Sequence, residues 1–208
     1  MVIFAKSKFM KNYAPLQNLQ GKRILLASHS PRRHELLGML GIDFSVADSI
    51  DVDESYPADI PVDTVAEYLS LKKAEAYSLT LKPDTVLITA DTIVIVNGEI
   101  LGKPHSEENA REMLKKLSGK KHKVITGVTI STTEKRHSLS AVTNVTFDSL
   151  TDDEIEYYIK RYHPFDKAGA YGIQEWIGAV GIEGIEGSYY NVMGLPVHRL
   201  YKCLSTLD

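Results

Sequence analysis

Cysteine is almost absent from this sequence, in which Cys203 is the only one among 208 residues. A single thiol excludes a disulfide framework and any metal site built from several cysteines, and it favours a reducing compartment. No apolar run approaches the roughly 20 residues that a membrane-spanning helix requires. Residues 1–21 also lack the long apolar core of a secretory signal. We therefore expect a cytoplasmic protein with no membrane partner.

An excess of positive charge is missing as well, because 24 lysines and arginines stand against 27 aspartates and glutamates, which gives a net charge of −3. Proteins that bind nucleic-acid backbones broadly need a basic excess, so we expect no nucleic-acid partner. The glycine patterns of P-loop and dinucleotide-binding enzymes and the serine-hydrolase elbow are absent too. The seven histidines show no spacing typical of a zinc site. The local basic clusters must therefore serve a smaller anion.

The order of the predicted elements is mixed. A strand over Thr85–Ala90 stops at Asp91-Thr92 and resumes at Ile93–Val96. Asn97-Gly98 then predicts a hairpin that returns through Glu99–Leu101. Other strands are predicted at Ile24–Ala27, Lys123–Ile130, Leu139–Phe147, Ala179–Ile185 and Tyr189–Met193, and helices at Pro31–Leu40, Pro61–Leu79, Ser106–Leu117, Thr151–Tyr162 and after Pro196. An apolar segment through Phe44 and Val46 leads into the acidic stretch Asp48–Glu54, which is predicted to be a loop.

This order predicts an α/β (α+β) fold, with a long twisted mixed β-sheet flanked by helices and two lobes around a central cleft. A hydrophobic content of 43% is enough for a proper core in one domain. We expect residues 1–21 to be an N-terminal extension and residues 22–208 to form that single domain.

The start of the first helix has the layout of a phosphate-binding site. Ser30 suits the N-cap position and Pro31 the first helical position, so the helix end is well defined. The free N–H groups and the positive end of the helix dipole favour an anion there. Arg32 and Arg33 add planar donor forks that fit phosphate oxygens. A bare pair of arginines is usually just solvated, but its position after a strand, a serine and a proline favours function.

Asp91 is the next candidate, because a carboxylate within an apolar β run is costly to bury unless it is paired, hydrogen-bonded or bound to a metal. Asp91 would alternatively be a turn aspartate that caps the next segment. Glu54, Lys73 and Lys103, taken singly, are typical solvated side chains. Together, such cations and carboxylates are the groups that support metal-assisted attack of water on a phosphoryl group.

Several blocks of the sequence also match a known family in the same order along the chain. They are Ala27–Leu37, Ala90–Ile93, Leu101–Pro104, Leu117–Gly119 with His122 and Thr126–Val128, Asp166–Gln174, and Gly187–Pro196. These blocks resemble the Maf nucleotide pyrophosphatases, once called septum-formation inhibitors, over nearly the whole chain. The resemblance implies hydrolysis of a nucleoside triphosphate between its α and β phosphates with a divalent cation, Mg²⁺ or Mn²⁺. A homodimer is expected from the resemblance alone.

The resemblance also implies roles for individual residues. Ser28, Arg32, Arg33, Lys73 and Lys103 would hold the triphosphate. Glu54, which matches the family pattern in place of Asp53, and Asp91 would hold the metal and activate water. Whether Asp91 accepts the proton itself or only positions the metal stays open, because a metal-bound carboxylate is a weak base. Asp166 and Lys167 belong to a further substrate-binding block.

The choice of base follows from the block Asp166–Gln174, which is similar to a branch acting on dTTP and UTP. In that branch Arg32, Thr92 and Gln174 occupy the positions tied to base choice, and the amide of Gln174 could pair with the O4 and N3–H edge of uracil or thymine. The family usually has glycine next, whereas Glu175-Trp176 follows here. We expect this pair to add bulk and negative charge near the base pocket. The alternatives are the same reaction on 7-methyl-GTP or another purine nucleotide, and a non-catalytic, nucleotide-binding regulator of cell division.

Overall fold

A seven-stranded mixed sheet forms the centre of the protein, whose computed structural model describes residues 16–207. The strands are β1 (Arg23–Leu26), β2 (Ser45–Val46), β3 (Thr85–Val96), β4 (Glu99–Leu101), β5 (Lys121–Ser131), β6 (Arg136–Phe147) and β7 (Ile182–Glu186). Their order is β2-β1-β3-β5-β6-β7, with β4 also paired to β3. β1 runs parallel to β2 and β3, and the remaining pairs are antiparallel.

Helices cover both faces of this sheet, which confirms the predicted α/β class. They are α1 (Pro31–Gly38), α2 (Val65–Ala76), α3 (Glu107–Leu117), α4 (Asp152–Tyr162), α5 (Trp176–Val180), α6 (Tyr189–Met193) and α7 (Val197–Ser205). The local signals at α3 and α4 are confirmed: the Ser106 hydroxyl accepts from the N–H of Asn109, and Thr151 and Glu154 form a reciprocal capping box. Within residues 16–207, no helix combines the length and the apolar character needed to cross a bilayer.

Two expectations about these elements were wrong. β3 does not stop at Asp91-Thr92 but continues to Val96, because β5 pairs with it without a break and Asp91 lies opposite Gly127. Tyr189–Met193 is a helix, although its short apolar run was interpreted as a strand. The Ser188 hydroxyl accepts from the N–H of Asn191 and starts α6, and a run of that length does not distinguish helix from strand.

The predicted N-terminal extension divides into two parts. Residues 1–15 lie outside the described residues. Leu16 and Leu19 are buried in the main core, and the side-chain amide of Asn18 donates to the carbonyls of Leu204 and Leu207. The end of this segment therefore packs against the C-terminal helix.

One edge of β3 is open at its centre. β1 pairs with β3 up to Ile88, and β4 pairs with it from Val94 onward. Because β5 occupies the opposite edge from Leu87 to Ile95, β1 and β4 must share one edge and leave a gap between them. Ala90, Asp91 and Thr92 lie in this gap, where the sheet is accessible from the side.

Gly127 lets α2 approach the sheet closely at the same level as Asp91. A Cβ on Gly127 would lie 2.3 Å from the carbonyl oxygen of Ala66 and 2.4 Å from Cα of Glu67. α2 packs there on a small core of six buried residues, namely Val65, Ala66, Leu69, Ile93, Ile95 and Ile125. The absent side chain therefore sets the distance between α2, which carries Lys73, and β3.

Gly127→Ala should lower the free energy of unfolding by about 3 kcal/mol, because a backbone contact cannot yield as a flexible side chain does. The matched control is Gly184→Ala in β7, where the new methyl group meets nothing within 4 Å and we expect a change within about 0.5 kcal/mol. Denaturant unfolding of both variants measures the difference. Equal stability of the two variants would contradict this account of the α2 contact.

Candidate active site

The eleven residues singled out from the sequence all line one cavity of about 560 Å³ beside the open edge of β3. They come from six separate segments of the chain and are Ser28, Arg32, Arg33, Glu54, Lys73, Asp91, Thr92, Lys103, Asp166, Lys167 and Gln174. The predicted cleft is therefore present, and the structure brings every predicted site residue to it.

Lys73 lies between two carboxylates at the inner end of this cavity. Its Nζ is 2.9 Å from Oε1 of Glu54 and 2.5 Å from Oδ1 of Asp91. The Asp91 side chain is only 12% exposed, so the ammonium group compensates a carboxylate that the sheet would otherwise bury unpaired. Partial burial raises the pKa of Glu54, but the hydrogen bond from Lys73 and the nearby positive charges outweigh it and leave the pKa below its ordinary value. Both carboxylates therefore converge on one ammonium group.

The loop that carries Glu54 is fastened to α2. Nζ of Lys72 lies 3.1 Å from Oδ2 of Asp53 and donates to the carbonyl of Ser55 at 2.9 Å. The Tyr77 hydroxyl donates to the carbonyl of Asp48 at 2.7 Å. Asp53 thus pairs with Lys72, and Glu54 is the acidic residue of this pair that reaches the cavity. The acidic stretch is a loop, as predicted, but its attachment to α2 was not apparent from the sequence.

The side chain of Arg33 lies at the open edge of β3 and donates several hydrogen bonds there. Its Nε donates to the carbonyl of Gly194 at 2.8 Å, Nη1 to the carbonyl of Ala90 at 2.9 Å, and Nη2 to Oγ1 of Thr92 at 3.0 Å. Nη1 also lies 3.4 Å from Oγ of Ser28. Burial lowers the pKa of Arg33, while the charge of Asp91 opposes that shift. This guanidinium joins the loop between β1 and α1, strand β3 and the segment after α6, so most of its donors are already engaged.

The Thr92 hydroxyl links Arg33 to a second threonine, Thr126. Its hydroxyl lies 3.0 Å from that of Thr126, which in turn donates to the carbonyl of Asn191 at 3.0 Å. The proton of Thr126 is therefore committed to Asn191, and Thr92 must donate to Thr126 while it accepts from Arg33. One lone pair of the Thr92 hydroxyl remains for a ligand.

Arg32 points to the opposite wall of the cavity. Its Nη1 donates to Oδ2 of Asp166 at 2.7 Å, and the other carboxylate oxygen of Asp166 accepts from Nζ of Lys167 at 2.7 Å. Burial raises the pKa of Asp166, but these two hydrogen bonds outweigh it and lower the pKa to about 2. The Arg32 side chain is 20% exposed and keeps three of its five N–H groups free of strong partners within residues 16–207.

The N-terminus of α1 is open toward the cavity. Ser30 is the N-cap residue and Pro31 follows it, as predicted, but the Ser30 side chain makes no capping hydrogen bond. The hydroxyl of Ser28 instead accepts from the N–H of Ser30 at 3.3 Å. Among residues 16–207, no side chain pairs with the first-turn N–H groups of α1, as an anion site requires.

That Glu175-Trp176 adds bulk and negative charge near the base pocket stays a prediction. Neither residue lines the cavity. Oε1 of Glu175 is 3.1 Å from Nζ of Lys167, and Oε2 accepts from the hydroxyl of Tyr158. Trp176 packs edge-on against Tyr157, with ring centroids 4.9 Å apart. Gln174 is exposed at the cavity, and its amide makes no hydrogen bond to the described part of the chain.

Three aromatic rings, those of Tyr171, His122 and Phe147, pack together at the cavity, which was not predicted from the sequence. Tyr171 lines the cavity, and its hydroxyl lies 2.8 Å from Nε2 of the buried His122. His122 and Phe147 both meet the Tyr171 ring edge-on. Burial lowers the pKa of His122 to about 4, so this imidazole is neutral at physiological pH. His122 and Tyr171 both lie in the sequence blocks quoted above, but no local sequence pattern indicates that their side chains touch.

Comparison with known proteins agrees with this geometry. Residues 23–207 match the family described as Maf-like protein. The chain belongs to the Maf-like family. A dTTP/UTP pyrophosphatase of Phocaeicola vulgatus is 55% identical over 92% of this chain and 100% of its own length. Proteins of the same name from Bacteroides thetaiotaomicron and Porphyromonas gingivalis are each 53% identical, over 92% and 90% of this chain and 100% and 95% of their own lengths.

Replacement of the two neighbouring arginines should separate their roles in this Maf-like protein. Arg33→Lys should lower the free energy of unfolding by about 3 kcal/mol, because one ammonium cannot serve carbonyls on two sides of the open edge and leaves buried acceptors unpaired. Arg32→Lys, with one ion pair to a half-exposed carboxylate, should cost less than about 1 kcal/mol. Denaturant unfolding checks both variants, and a larger loss in Arg32→Lys would refute the distinction.

Proposed function

We propose that this Maf-like protein is a nucleoside triphosphate pyrophosphatase that hydrolyses dTTP and UTP to the monophosphate and pyrophosphate. Its curated relatives at 52–55% identity carry the name dTTP/UTP pyrophosphatase. The single observation that carries the proposal is the position of Lys73, held between Glu54 and Asp91 in a cavity lined with cationic side chains. We further propose that residues 22–208 form the catalytic domain and that residues 1–21 extend it. We also propose that the protein works in the cytoplasm as a homodimer.

The triphosphate would bind along the cationic side of the cavity. Arg32 offers free N–H groups of a planar fork, and the open N-terminus of α1 offers backbone N–H groups beside Ser28. Lys103 is exposed at the cavity, and its charge is close enough to lower the pKa of Glu54. Arg33 contributes one remaining N–H and a fixed positive charge, because its other donors hold the protein together.

Glu54 and Asp91 would hold a divalent cation, Mg²⁺ or Mn²⁺. Their carboxylates already converge on one cation, the ammonium of Lys73, and hard divalent ions prefer such oxygen donors. No group of three or more histidine, cysteine or acidic side chains suited to a metal occurs within residues 16–207. Two protein carboxylates plus phosphate oxygens are the usual way in which Mg²⁺ is held in phosphoryl-transfer sites. Such a bound ion would polarise the phosphate and make nearby water more acidic.

Asp91 is the residue that we propose as proton acceptor. Its carboxylate is paired with Lys73, it lies at the open edge of β3, and it faces the cavity. A carboxylate aimed at the site of attack orients the water and takes its proton as the new phosphorus–oxygen bond forms. Lys73, which contacts both acids, would keep them in place and neutralise charge on the phosphates.

The base would lie against the wall that carries Gln174. The free amide of Gln174 offers one donor and one acceptor, which fits the O4 and N3–H edge of uracil or thymine. Tyr171, Val124 and Met193 add apolar surface to the same cavity. A 7-methyl-GTP pyrophosphatase and a non-catalytic regulator of cell division are the competing functions.

A nucleotide panel tests the reaction and the choice of base together. Pyrophosphate release from dTTP, UTP, CTP, GTP and 7-methyl-GTP is measured with Mg²⁺, with Mn²⁺ and with EDTA. We expect metal-dependent release that is fastest with dTTP and UTP and is abolished by EDTA. Release from 7-methyl-GTP alone would overturn the proposed substrate, and no release from any nucleotide would favour the regulator.

Asp91→Asn should lower kcat by roughly 10²- to 10⁴-fold, because the amide keeps the shape of the carboxylate but cannot accept the proton. Binding of dTTP, measured by calorimetry, should stay within about threefold. Asp63→Asn is the matched control, since Asp63 pairs with Lys123 on the surface and does not line the cavity. Full activity of Asp91→Asn would sink the proposed mechanism.

A further inference from the structure

Behind the wall that carries Gln174 lies a connected set of charged and polar groups, of which Glu175 and Tyr158 have no role in the function proposed above. It begins at Arg32, passes through Asp166 to Lys167, and continues through Glu175 to the hydroxyl of Tyr158. The first three line the cavity, whereas Glu175 and Tyr158 do not. The contacts therefore run from the nucleotide site into the core of the protein.

Lys167 is the most enclosed charge in this set. Its side chain is 8% exposed, and its Nζ lies 2.7 Å from Oδ1 of Asp166 and 3.1 Å from Oε1 of Glu175. Asp166 is shared, because its second oxygen binds Arg32. The buried ammonium of Lys167 therefore depends strongly on Glu175 for charge compensation. Removal of the Glu175 carboxylate would leave this positive charge incompletely compensated. Lys167 would then draw Asp166 away from Arg32.

Glu175 also fixes the backbone around Gln174. Its N–H donates to the carbonyl of Gly172 at 3.0 Å, and its Oε2 accepts from Tyr158. The Tyr158 hydroxyl accepts in turn from the N–H of Gly172 at 3.0 Å. This closes a small ring of hydrogen bonds around the turn that presents Gln174 to the cavity. Burial and the neighbouring Glu175 raise the pKa of Tyr158, so its hydroxyl keeps the proton that it donates.

We propose that Glu175 is a positioning residue for nucleotide recognition, which acts through Lys167 on Asp166 and Arg32 and through Tyr158 on the turn that carries Gln174. The proposal rests on the proposed function, because it assigns the base and sugar side of the same site. Glu175 touches neither the carboxylate pair nor Lys73, so it should affect binding of the nucleoside end and leave the chemical step unchanged.

The decisive comparison is between Glu175→Gln and Glu175→Ala. The amide keeps the volume and the acceptor for Tyr158 but removes the charge that compensates Lys167. If the charge positions the site, both variants should raise the KM for dTTP about tenfold with kcat within twofold. The inhibition constant of dTMP should rise by the same factor, whereas that of pyrophosphate, which we place at the Lys73 and Lys103 end and away from Arg32, should not move. A residue that only stabilises the fold would not separate these two products.

Glu156→Gln is the matched control, because Glu156 lies on α4 near Tyr158 but pairs with Arg111 and Lys160 outside the cavity. It should leave both inhibition constants unchanged. If Glu175→Gln does not fold, Tyr158→Phe tests the same ring of hydrogen bonds and should raise the inhibition constant of dTMP in the same direction. Wild-type values of KM and of dTMP inhibition in folded Glu175→Gln or in Tyr158→Phe would overturn the proposal.

Failure of the proposed function would be recognised separately. If the unsubstituted protein releases no pyrophosphate from dTTP, hydrolysis is refuted, but calorimetric titration of dTMP into the unsubstituted protein and into Glu175→Gln still tests the role of Glu175. A roughly tenfold weaker affinity of the variant supports the positioning role. Equal affinity, or no binding to either protein, overturns it.

Discussion

The open stretch of β3 between β1 and β4 is the constraint on which the rest of the structure depends. A strand edge in the middle of a sheet exposes backbone groups that need partners, and a neighbouring strand would normally supply them. Here the guanidinium of Arg33 takes the carbonyl of Ala90 instead. That carbonyl is thereby paired without a strand covering the edge, and the cavity forms beside it with Asp91 among its lining residues.

The same gap explains how one strand serves two sides of the site. Successive side chains of a strand point to opposite faces, so Asp91 meets Lys73 from α2 whereas Thr92 meets Arg33. In a covered strand these two side chains would lie in separate compartments. Because no strand closes the edge between them, both reach one cavity, and the close approach of α2 over Gly127 brings the ammonium to the carboxylate.

Local signals in the sequence predicted the elements that local chemistry determines. The caps at Ser106 and Thr151 placed α3 and α4 correctly, since a cap involves residues only three apart. The gathering of distant residues in one cavity was predicted through the family resemblance, because periodicity alone does not bring Glu54 to Asp91. The break expected in β3 was wrong for the same kind of reason: pairing with β5 and compensation by Lys73 lie far away in sequence and keep a carboxylate within a strand.

Arg32 and Arg33 show that a sequence pattern does not predict which way each side chain points. Adjacent residues on a helix point about 100° apart, so a pair that looks like one double fork becomes two side chains with different surroundings. Arg33 turns inward and joins three segments, whereas Arg32 reaches across to Asp166.

The contact between Arg32 and Asp166 has a further consequence for how the site is assembled. The carboxylates, Lys73 and the edge of β3 form a unit with α2, while Asp166, Lys167 and Gln174 form a unit with α4 through Tyr158 and Glu175. Among the ion pairs of the described residues, the one between Arg32 and Asp166 joins the two walls. Asp166 binds Arg32 with one carboxylate oxygen and Lys167 with the other. The charge balance around Lys167 therefore influences how firmly Asp166 holds Arg32. Arg32, on α1, and Lys167, beside the turn that carries Gln174, are thus connected through a single carboxylate.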